Sequence, residues 1–421
     1  MMRQLRSRPI AIALVCQGMD AGGGVPAVVR WLQDGLAASG NYTVHVHDLA
    51  ASRTDQASRR ILSPRSWTRA SLQNDLASAS WMTHWGANAV EIEVMRYRPR
   101  TELTRVLSRY DVIQVVAGSS ALAAAVVCVP APVCIQVATT AAWERASQVS
   151  AQPRAVRVWR RVMTALTARV ERKALRAADF VMVENDTMLA HVLELGQRRV
   201  GKAPPGVDTD RFVPNPHGWR RDGYLLSVCR LSDPRKGLDR MIRAYSELTK
   251  IKANAPDLML VGKGDLTTRH WALIDALNLR SRLQVRSDVP AGSLPSLYQG
   301  ASLFLQTSHE EGLGIAALEA MASGLPVVCT ETAGSRETVV DGVTGWLVSQ
   351  NPERDVVHLM ADRISRVTRD DTGAQMGSRG RQRCTDQFSF SSALRAFTDA
   401  YDRVLSKSVD QHADGAGHFP R

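Results

Sequence analysis

The sequence predicts an α/β protein of two doubly wound domains, each a parallel sheet with helices on both faces. Three observations lead to this expectation. The chain has 421 residues, more than a single ordinary core accommodates. Short apolar segments alternate with helical patterns in both halves, as in parallel sheets with crossover helices. Between the halves, residues 202–218 are rich in proline and glycine, which is typical of a domain boundary.

In the first half, a helix is predicted at 25–38, and apolar segments predict strands at 10–16, 42–46, 111–116, 133–137 and 180–183. Residues 9–16 follow basic residues, as in a signal peptide, but the segment is short and a first buried strand is the better interpretation. The uncharged segment 112–143 is interrupted by glycine and proline, so strand, short helix and strand are expected there rather than a membrane span. The polar segment 51–90 predicts no ordered series of elements.

The strand and helix pattern restarts in the second half. Helices are expected at 238–248, 270–277, 294–298 and 314–322, and strands at 224–228, 258–261, 283–285, 303–306 and 326–329. We therefore expect domains at 1–204 and 205–390, a helix at 391–405 that returns to the first domain, and a flexible tail at 406–421. Ligands of doubly wound sheets bind beyond the carboxyl ends of the strands, which predicts a site in a cleft between the two domains.

Composition narrows the class of protein. The six cysteines are scattered and include no Cys-x-x-Cys pair, which indicates reduced core residues of a cytoplasmic protein. The formal net charge of +12 suits an acidic partner such as anionic lipid or a phosphorylated substrate, although arginine usage alone would also explain it. No nucleic-acid-binding module is recognisable, so nucleic acid is not an expected partner.

The most informative segment lies at 308–348, where Glu311 and Glu319 are separated by seven residues. Gly312 and Gly314 stand where a loop is expected to become a helix. The backbone N–H groups of such a loop and of a helix N-terminus form a site for phosphate. The two carboxylates can accept hydrogen bonds from hydroxyl groups on either side. Phosphate flanked by hydroxyl groups describes a nucleotide-sugar.

Other residues at predicted strand ends complete this pattern. Arg230 follows the strand at 224–228, Lys236 precedes a helix, and Gly262 and Gly264 form a turn after another strand. Arginine and lysine there can converge on a diphosphate. Each alone has an ordinary explanation, as a surface ion pair or a helix-end charge. Paired glutamates could also be the acid and nucleophile of a glycosidase, but a hydrolase needs no phosphate anchors.

In these motifs the chain resembles the family 4 glycosyltransferases (glycosyl transferases group 1), which are retaining nucleotide-sugar transferases with the GT-B fold. The family's Glu-x7-Glu signature matches Glu311 and Glu319, and its diphosphate anchors match Arg230 and Lys236. Its glycine turn matches Gly262 and Gly264. The resemblance is strong over 203–348, moderate over 10–50 and 110–200, and weak over 51–100.

The resemblance implies roles for these positions. Glu311 would bind the donor sugar hydroxyls and act with Arg230 and Lys236 as a catalytic residue, while Glu319 would bind the ribose. The remaining expected donor-binding residues are Gly23, Gly24, Thr139, Gly262, Gly264, Gly312, Leu313, Gly314 and Ile315. Neither a metal nor a cofactor is implied, because the nucleotide-diphosphate sugar is a co-substrate. Asp208 and Asp210 are expected to form a turn.

One departure from the family pattern concerns the expected strand at 133–137. Many members carry a histidine just after it, where this chain has Ala138, Thr139 and Thr140. Threonine is not a general base unaided, so the leaving diphosphate would take the acceptor proton. The implied enzyme would serve cell-envelope glycan, glycolipid or glycosylated-metabolite synthesis, with a glycan, lipid-linked or small-molecule acceptor. A non-catalytic nucleotide-sugar-binding subunit and another GT-B enzyme, such as an epimerase or phosphorylase, remain alternatives.

Two features of the first half lie outside these motifs. Residues 154–176 form a basic amphipathic helix pattern. It fits either docking to an anionic membrane, which would place the protein peripherally at the inner face of the plasma membrane, or a covering helix with a solvated basic face. His84 lies between two tryptophans, where a packed histidine is favoured over an acceptor contact.

Overall fold

The computed structural model describes residues 8–19, 24–68, 73–74, 81–146, 154–369 and 371–415. Its contacts divide the chain into two units. Unit 1 comprises Met1–Pro205 with Ala393–Arg421, and unit 2 comprises Gly206–Ser392. Unit 2 is thus one continuous segment of sequence, whereas unit 1 is assembled from two segments that flank it.

Unit 1 contains an eight-stranded sheet whose neighbouring strands are parallel, except for one short antiparallel pair at its edge. Its strands are β1 (Ile10–Gln17), β2 (Tyr42–Leu49), β3 (Gln73–Asn74), β4 (Met82–Trp85), β5 (Val112–Ser119), β6 (Val133–Thr139), β7 (Phe180–Val183) and β8 (Val200–Lys202). Their order in the sheet is β3-β4-β2-β1-β5-β6-β7-β8. The central strands are buried along most of their length, as expected when helices cover both faces.

Six helices of unit 1 connect these strands. They are α1 (Gly24–Ala38), α2 (Glu93–Arg96), α3 (Thr101–Leu107), α4 (Ala141–Ala146), α5 (Arg154–Ala177) and α6 (Asp186–Glu194). A 3-10 helix at Ser120–Ala125 lies between β5 and β6. The uncharged segment 112–143 is therefore strand, short helix, strand and the start of α4, which confirms that interpretation. No helix within the described ranges is both long and apolar enough to span a bilayer.

Unit 2 contains a six-stranded sheet that is parallel throughout. Its strands are β9 (Tyr224–Val228), β10 (Leu258–Gly262), β11 (Leu283–Ser287), β12 (Ala301–Gln306), β13 (Val327–Thr330) and β14 (Gly345–Val348). Their order is β11-β10-β9-β12-β13-β14. This is the strand order of doubly wound sheets. From β9 the chain adds strands first on one side and then, from β12 onward, on the other side, so the order reverses between β9 and β12.

Helices pack on both faces of this second sheet. They are α7 (Leu238–Ile251), α8 (Thr268–Ala276), α9 (Leu294–Gln299), α10 (Ile315–Ala322), α11 (Ala333–Thr338), α12 (Val356–Val367) and α13 (Thr372–Gln387). Two buried apolar clusters result, one that includes residues of α7 and α12 and one that includes residues of α9 and α10. The strand and helix series predicted between 224 and 329 is confirmed.

The last described helix, α14 (Phe390–Gly415), runs ten residues past its expected end at 405. Residues 406–414 contain no proline or glycine that would stop it. Unit 1 is closed by this helix. Phe397 packs edge-on against Trp31, with ring centroids 5.7 Å apart, and Tyr401 packs edge-on against Tyr42. Residues 416–421 lie outside the described ranges.

Backbone segments approach closely where β9 and β10 end. Gly262 has a φ of +156°, and a Cβ placed on it would lie 1.6 Å from the carbonyl oxygen of Cys229. Two residues on, Gly264 has a φ of +73°, but its Cβ would meet only Ser232 Oγ at 3.5 Å. The two glycines therefore differ. At position 262 there is no space for a side chain, whereas at position 264 only the backbone conformation favours glycine.

This difference predicts unequal effects of two alanine substitutions. Gly262→Ala forces the backbone of adjacent strands apart and should lower the unfolding free energy by about 3 kcal/mol or more. Gly264→Ala should cost only about 1 kcal/mol, the usual penalty for a left-handed non-glycine residue. Urea denaturation followed by circular dichroism measures both. Equal losses for the two variants would contradict the close approach.

Candidate active site

The candidate site of unit 2 is built at the carboxyl ends of β9 and β12, the two strands between which the strand order reverses. In doubly wound sheets this position opens a crevice for ligands. The two strands are direct neighbours, with Phe304 paired to Leu226. The loop after β9 carries Arg230 and Lys236, and the loop after β12 carries Glu311. The structure therefore brings these three predicted residues to one edge of the sheet.

Lys236 and Glu311 form the central contact of the site. The Nζ atom of Lys236 lies 2.5 Å from Glu311 Oε1, and both side chains are largely buried. The same oxygen accepts a hydrogen bond of 2.6 Å from Ser308 Oγ. Among the described residues, Glu311 Oε2 has no hydrogen-bond donor, so one carboxylate oxygen is anchored and the other is left for a ligand.

Buried hydroxyl groups connect the loops that follow β9 and β12. Thr307 Oγ1 donates to the carbonyl oxygen of Gly237 at 2.9 Å and also lies 3.1 Å from that of Lys236. Thr330 Oγ1, at the end of β13, donates to the carbonyl oxygen of Ser308 at 2.6 Å. The Thr307 bonds join the loop after β9 to the end of β12, and the Thr330 bond joins the loop after β12 to β13. Protein atoms alone thus fix the positions of these loops relative to each other.

Arg230 is the more exposed cation of the site. Its side chain is half exposed and lies 3.1 Å from Asp233 Oδ2. Asp233 also accepts from the backbone N–H and guanidinium of Arg235, and these bonds outweigh burial and lower the Asp233 pKa. Because Asp233 is already bonded to Arg235, Arg230 can turn towards an anion without leaving the carboxylate unpaired. Glu310 lies 4.0 Å from Arg235.

The N-terminus of α10 lies where the glycine motif predicts a phosphate-binding backbone. Gly314 is the residue before the helix and has a φ of +89°. Inside the helix, Ala317 and Leu318 donate to the carbonyl oxygen of Gly314. The earlier N–H groups of a helix have no partner within it and carry partial positive charge. Gly312, Leu313, Gly314 and Ile315 are therefore placed where such amides begin, next to Glu311.

Glu319 lies one turn into α10, and its carboxylate is set deep among protein atoms. Oε2 accepts a hydrogen bond of 2.8 Å from the hydroxyl of Tyr298, a fully buried residue of α9. Burial raises the pKa of Glu319 to about 7, against the effects of this hydrogen bond and of the Arg211 charge. The glutamate is therefore close to a neutral–charged transition at physiological pH.

The Gly262 and Gly264 turn adjoins the loop after β9. Leu231 donates from its backbone to the carbonyl oxygen of Lys263 at 3.0 Å. On the other side, the Gly264 N–H donates to Asp288 Oδ1 at 3.2 Å, and the Asp288 N–H donates to the Gly262 carbonyl. The turn is thus fixed between the ends of β9 and β11, on the same edge of the sheet as Arg230.

The predicted donor-binding residues of unit 1 lie at its own strand ends. Gly24 begins α1, after β1, and Thr139 is the last residue of β6. Thr139 is buried, and its Oγ1 has no hydrogen-bond partner among the residues described. The neighbouring Thr140 Oγ1 accepts from the backbone of Trp143 at 3.2 Å. Gly23 lies outside the described residues.

A second polar cluster lies at the carboxyl ends of β2 and β4 in unit 1, where sequence reasoning found no site. His84 sits directly opposite Asp48 in the sheet. Its Nδ1 is 2.8 Å from Asp48 Oδ2, and its Nε2 is 2.6 Å from Asp55 Oδ1. Burial lowers the pKa of His84, but hydrogen bonds to the two carboxylates outweigh it and raise the pKa to about 9. His84 is thus a charged residue that ties the loop after β2 to the sheet.

The Asp208 and Asp210 pair forms the predicted turn. Asp208 Oδ1 accepts hydrogen bonds from the backbone N–H groups of Asp210 and Arg211, at 3.1 and 2.9 Å. Across the part of the chain that the structure describes, no group of three or more His, Cys, Asp or Glu side chains is arranged to hold a metal ion.

Sequence reasoning missed Tyr298, Ser308 and Asp233, although each contacts a predicted site residue. The contact of Tyr298 joins two helices, so its neighbours in the chain carry no signal of this role. Ser308 and Asp233 each lie three residues from their partners, Glu311 and Arg230, and this spacing could have indicated both contacts.

Residues 211–383 match the family model for glycosyl transferases group 1. This match covers most of unit 2 and includes Arg230, Lys236, Glu311 and Glu319. Over these residues the chain is similar to the glycosyl transferases group 1 family, and its two parallel-sheet units have the GT-B fold.

Two curated relatives come from Mycolicibacterium smegmatis. The GDP-mannose-dependent alpha-(1-6)-phosphatidylinositol monomannoside mannosyltransferase is 35% identical over 203 residues, which cover 44% of this chain and 51% of the relative. The D-inositol 3-phosphate glycosyltransferase is 27% identical over 255 residues, which cover 58% of this chain and 57% of the relative. The chain thus spans about half the length of the curated relatives it matches.

Solved structures show the same fold over nearly the whole chain. Sucrose-phosphate synthase from Thermosynechococcus elongatus aligns with a TM-score of 0.69 and 19% identity, covering 94% of this chain and 100% of that one. Anabaena Alr3699/HepE in complex with UDP and glucose aligns with a TM-score of 0.66 and 14% identity, with the same coverage. At such identities the likeness concerns the fold alone.

The contact between His84 and its two carboxylates should make the stability of unit 1 depend on pH. The folded pKa of His84, about 9, exceeds the ordinary 6.5. The stabilisation is therefore complete below pH 6.5 and is lost as pH rises through about 9. We expect the wild-type protein to lose roughly 2 kcal/mol of unfolding free energy between about pH 6 and about pH 9 from this residue, measured by urea denaturation.

The matched comparison uses two glutamine variants. His84→Gln should lack this part of the pH dependence. His47→Gln should keep it, because burial, with His45 contributing, lowers the His47 pKa to about 3 and the ring is neutral over the whole range. If the unfolding free energy of His84→Gln changed with pH as much as that of the wild-type protein, the assignment of charge to His84 would be refuted.

Proposed function

We propose that this protein is a retaining glycosyltransferase that moves a sugar from a nucleoside-diphosphate sugar to an acceptor. The observation that carries the proposal is the convergence of Arg230, Lys236 and the N-terminus of α10 between Glu311 and Glu319 at one sheet edge. Cations and the N–H groups of a helix N-terminus suit a diphosphate, and the carboxylates suit hydroxyl groups. The match of residues 211–383 to the glycosyl transferases group 1 model supports it.

Donor binding would change the partners of Lys236. Its charge is neutralised by Glu311 at 2.5 Å. A diphosphate at the start of α10 would bring negative charge to Lys236 and Arg230, and a sugar hydroxyl could donate to the Glu311 oxygen. Each group would then exchange a protein contact for a ligand contact, so that little buried charge is left uncompensated.

The proposed reaction breaks the bond between the anomeric carbon and the diphosphate oxygen. The acceptor oxygen or nitrogen bonds to the same face of that carbon, and its proton passes to the departing phosphate oxygen. Lys236, Arg230 and the amides of α10 stabilise the charge that develops on the diphosphate. Thr139 and Thr140, at the end of β6, are not bases unaided, so catalysis would rest on positioning and on this charge stabilisation.

We also propose that the reaction needs neither a metal nor a cofactor. The charge of the leaving group would be met by the two cationic side chains and the helix N-terminus, which perform the work that a divalent ion does elsewhere. Activity that survives excess EDTA is the expected result, and its complete loss would refute this part of the proposal.

The donor and acceptor are narrowed by the names of the relatives. One is named for GDP-mannose and phosphatidylinositol monomannoside, and another for D-inositol 3-phosphate. A solved neighbour contains UDP and glucose. We propose a lipid-linked, glycan or small-molecule acceptor in envelope glycan, glycolipid or metabolite synthesis. Mass spectrometry of products from GDP-mannose and UDP-sugars, with inositol-containing acceptors among others, identifies both substrates.

Lys236→Ala tests the diphosphate site. Loss of this cation should lower transfer by about 100-fold, in line with the removal of one charge-stabilising group. Lys250→Ala is the matched control, because Lys250 is an exposed residue of α7 paired with Glu247, and its loss should leave transfer unchanged. Normal transfer by Lys236→Ala would contradict the proposal.

The same assay separates the alternatives. A non-catalytic nucleotide-sugar-binding subunit would bind the donor without turnover for any acceptor of the panel. An epimerase would convert the donor sugar with no acceptor present, and a phosphorylase would require inorganic phosphate. Acceptor-dependent release of nucleoside diphosphate that is abolished in Glu311→Ala supports the transferase.

We further propose that unit 1 docks on an anionic membrane through one face of α5, which would place the protein in the cytoplasm at the inner face of the plasma membrane. Residues four and three apart share a helix face. The α5 face is defined by Val158, Val162, Ala165, Arg169, Arg172 and Arg176, all of which are exposed.

Charge and shape of the α5 face suit a lipid surface. Its first half is apolar, with Val158 60% and Val162 47% exposed and the neighbouring Trp159 56% exposed. Its second half is cationic. Apolar side chains can enter the acyl boundary while arginines contact lipid phosphates. The opposite face, which includes Thr167, Glu171 and Ala174, is buried in unit 1.

Co-sedimentation with vesicles tests this docking. Arg169→Glu with Arg172→Glu should lower binding to phosphatidylserine-containing vesicles by at least about tenfold, since each cation near such a surface contributes about 1 kcal/mol. Arg269→Glu with Arg354→Glu changes the charge equally at exposed positions of unit 2 and should have less effect. Vesicle binding that does not depend on anionic lipid, or an equal loss of binding in the two double variants, would refute the proposal.

A further inference from the structure

The hydroxyl of Tyr298 is directed at one oxygen of a glutamate that the proposed function assigns to the ribose. It donates to Glu319 Oε2 at 2.8 Å and lies 3.3 Å from the Ala316 carbonyl oxygen. The tyrosine is wholly buried. Its ring packs edge-on against Phe212, at 5.6 Å between centroids, and at a tilt against Phe304, at 5.9 Å. The hydroxyl therefore has a fixed position.

The two oxygens of Glu319 are in different situations. Oε2 is held by Tyr298. Oε1 has no hydrogen-bond partner among the described residues, and it is not one of their buried unpartnered atoms. It is therefore open to a ligand or to solvent. A glutamate has three side-chain torsions, and a fixed donor on one oxygen limits which way the other oxygen faces.

The hydrogen bond also bears on the charge of Glu319. Burial raises the pKa of this glutamate to about 7, and the bond from Tyr298 opposes that rise. Without the hydroxyl, the carboxyl would hold its proton to a higher pH. A protonated carboxyl is a weaker acceptor for ribose hydroxyl groups than a carboxylate.

We propose that Tyr298 is a positioning residue for nucleotide recognition, which fixes Glu319 Oε2 so that Oε1 is presented to the ribose hydroxyls of the donor. The inference rests on the proposed function, because it requires a nucleotide at this site. Tyr298 itself touches no substrate. It acts through Glu319, from a helix that carries none of the residues in the glutamate motif.

Tyr298→Phe removes the hydroxyl and keeps the ring. The matched control is Tyr245→Phe, because Tyr245 is equally buried in unit 2 but donates to the carbonyl oxygens of Pro256 or Arg282, at 3.0 and 3.2 Å. The probes are UDP and GDP and their 2′,3′-dideoxy forms, titrated by calorimetry into the full chain. The dideoxy forms keep the diphosphate and base but lack the hydroxyls that Glu319 would bind.

We expect the wild-type protein to prefer the ribonucleotide over its dideoxy form. In Tyr298→Phe, ribonucleotide affinity should fall about tenfold, as for loss of a hydrogen bond to a charged group, while dideoxynucleotide affinity changes little. Tyr245→Phe should keep the wild-type preference. Equal losses of both nucleotides in Tyr298→Phe would show a merely structural role and overturn the inference.

The dependence of ribonucleotide affinity on pH is a second readout. It can be measured without Tyr298→Phe, should that variant not fold. Ribonucleotide affinity of the wild-type protein should fall as pH drops through about 7, when Glu319 gains a proton. Replacing tyrosine by 3-fluorotyrosine throughout the chain makes the hydroxyl a stronger donor and should move this midpoint to lower pH. An unmoved midpoint overturns the inference.

The failures of the two proposals are distinguishable. If the wild-type protein binds neither UDP nor GDP, the proposed donor site is wrong and the role of Tyr298 falls with it. If it binds a ribonucleotide and discriminates against the dideoxy form, but Tyr298→Phe keeps that discrimination, only the role of Tyr298 is refuted.

Discussion

In unit 2 the loops that follow β9 and β12 are joined by the contact of Lys236 with Glu311, and the other site residues are arranged around it. Two opposite charges in a largely buried position stabilise each other only if their geometry is maintained and their remaining bonds are satisfied. Hydrogen bonds from Thr307 and Ser308, which follow β12, maintain this geometry: Thr307 bonds to the Gly237 carbonyl oxygen and Ser308 to Glu311. The pair therefore keeps a cation and an acceptor oxygen in fixed positions, as the diphosphate-sugar site that we propose would require.

The rigidity of the site comes mainly from backbone placed against backbone. Gly237 is left-handed, with a φ of +59°, and a Cβ on it would lie 2.3 Å from the Thr307 carbonyl oxygen. A Cβ on Gly334 would lie 2.6 Å from the backbone nitrogen of Leu313, and the Gly334 N–H donates to the Glu311 carbonyl. Such approaches have little freedom to relax, because close-packed interiors transmit displacement to their neighbours. The amides at the start of α10 are consequently held where the helix dipole is directed.

Prediction from sequence succeeded where the signal is local. Strand β7 was predicted with its observed bounds, and the series from β9 to β13 was predicted within a few residues. The strand β4 was not, because its alternation of burial becomes visible only when it pairs with β2. The same limit applies to the site. Arg230, Lys236, Glu311 and Glu319 follow from spacing within short motifs, whereas the bond from Tyr298 to Glu319 joins α9 to α10 through tertiary packing that no short segment encodes.

The division of the chain has a consequence for biosynthesis. Unit 2 is inserted into unit 1, whose core is completed by α14 when Phe397 meets Trp31 and Tyr401 meets Tyr42. A ribosome releases the chain from its amino end at about 5–20 residues per second. Unit 2 can therefore acquire its fold as soon as its continuous segment has emerged. The earlier-made strands of unit 1 must wait, with aromatic surface uncovered, until α14 has been translated, and this interval is when the nascent protein most needs protection from aggregation.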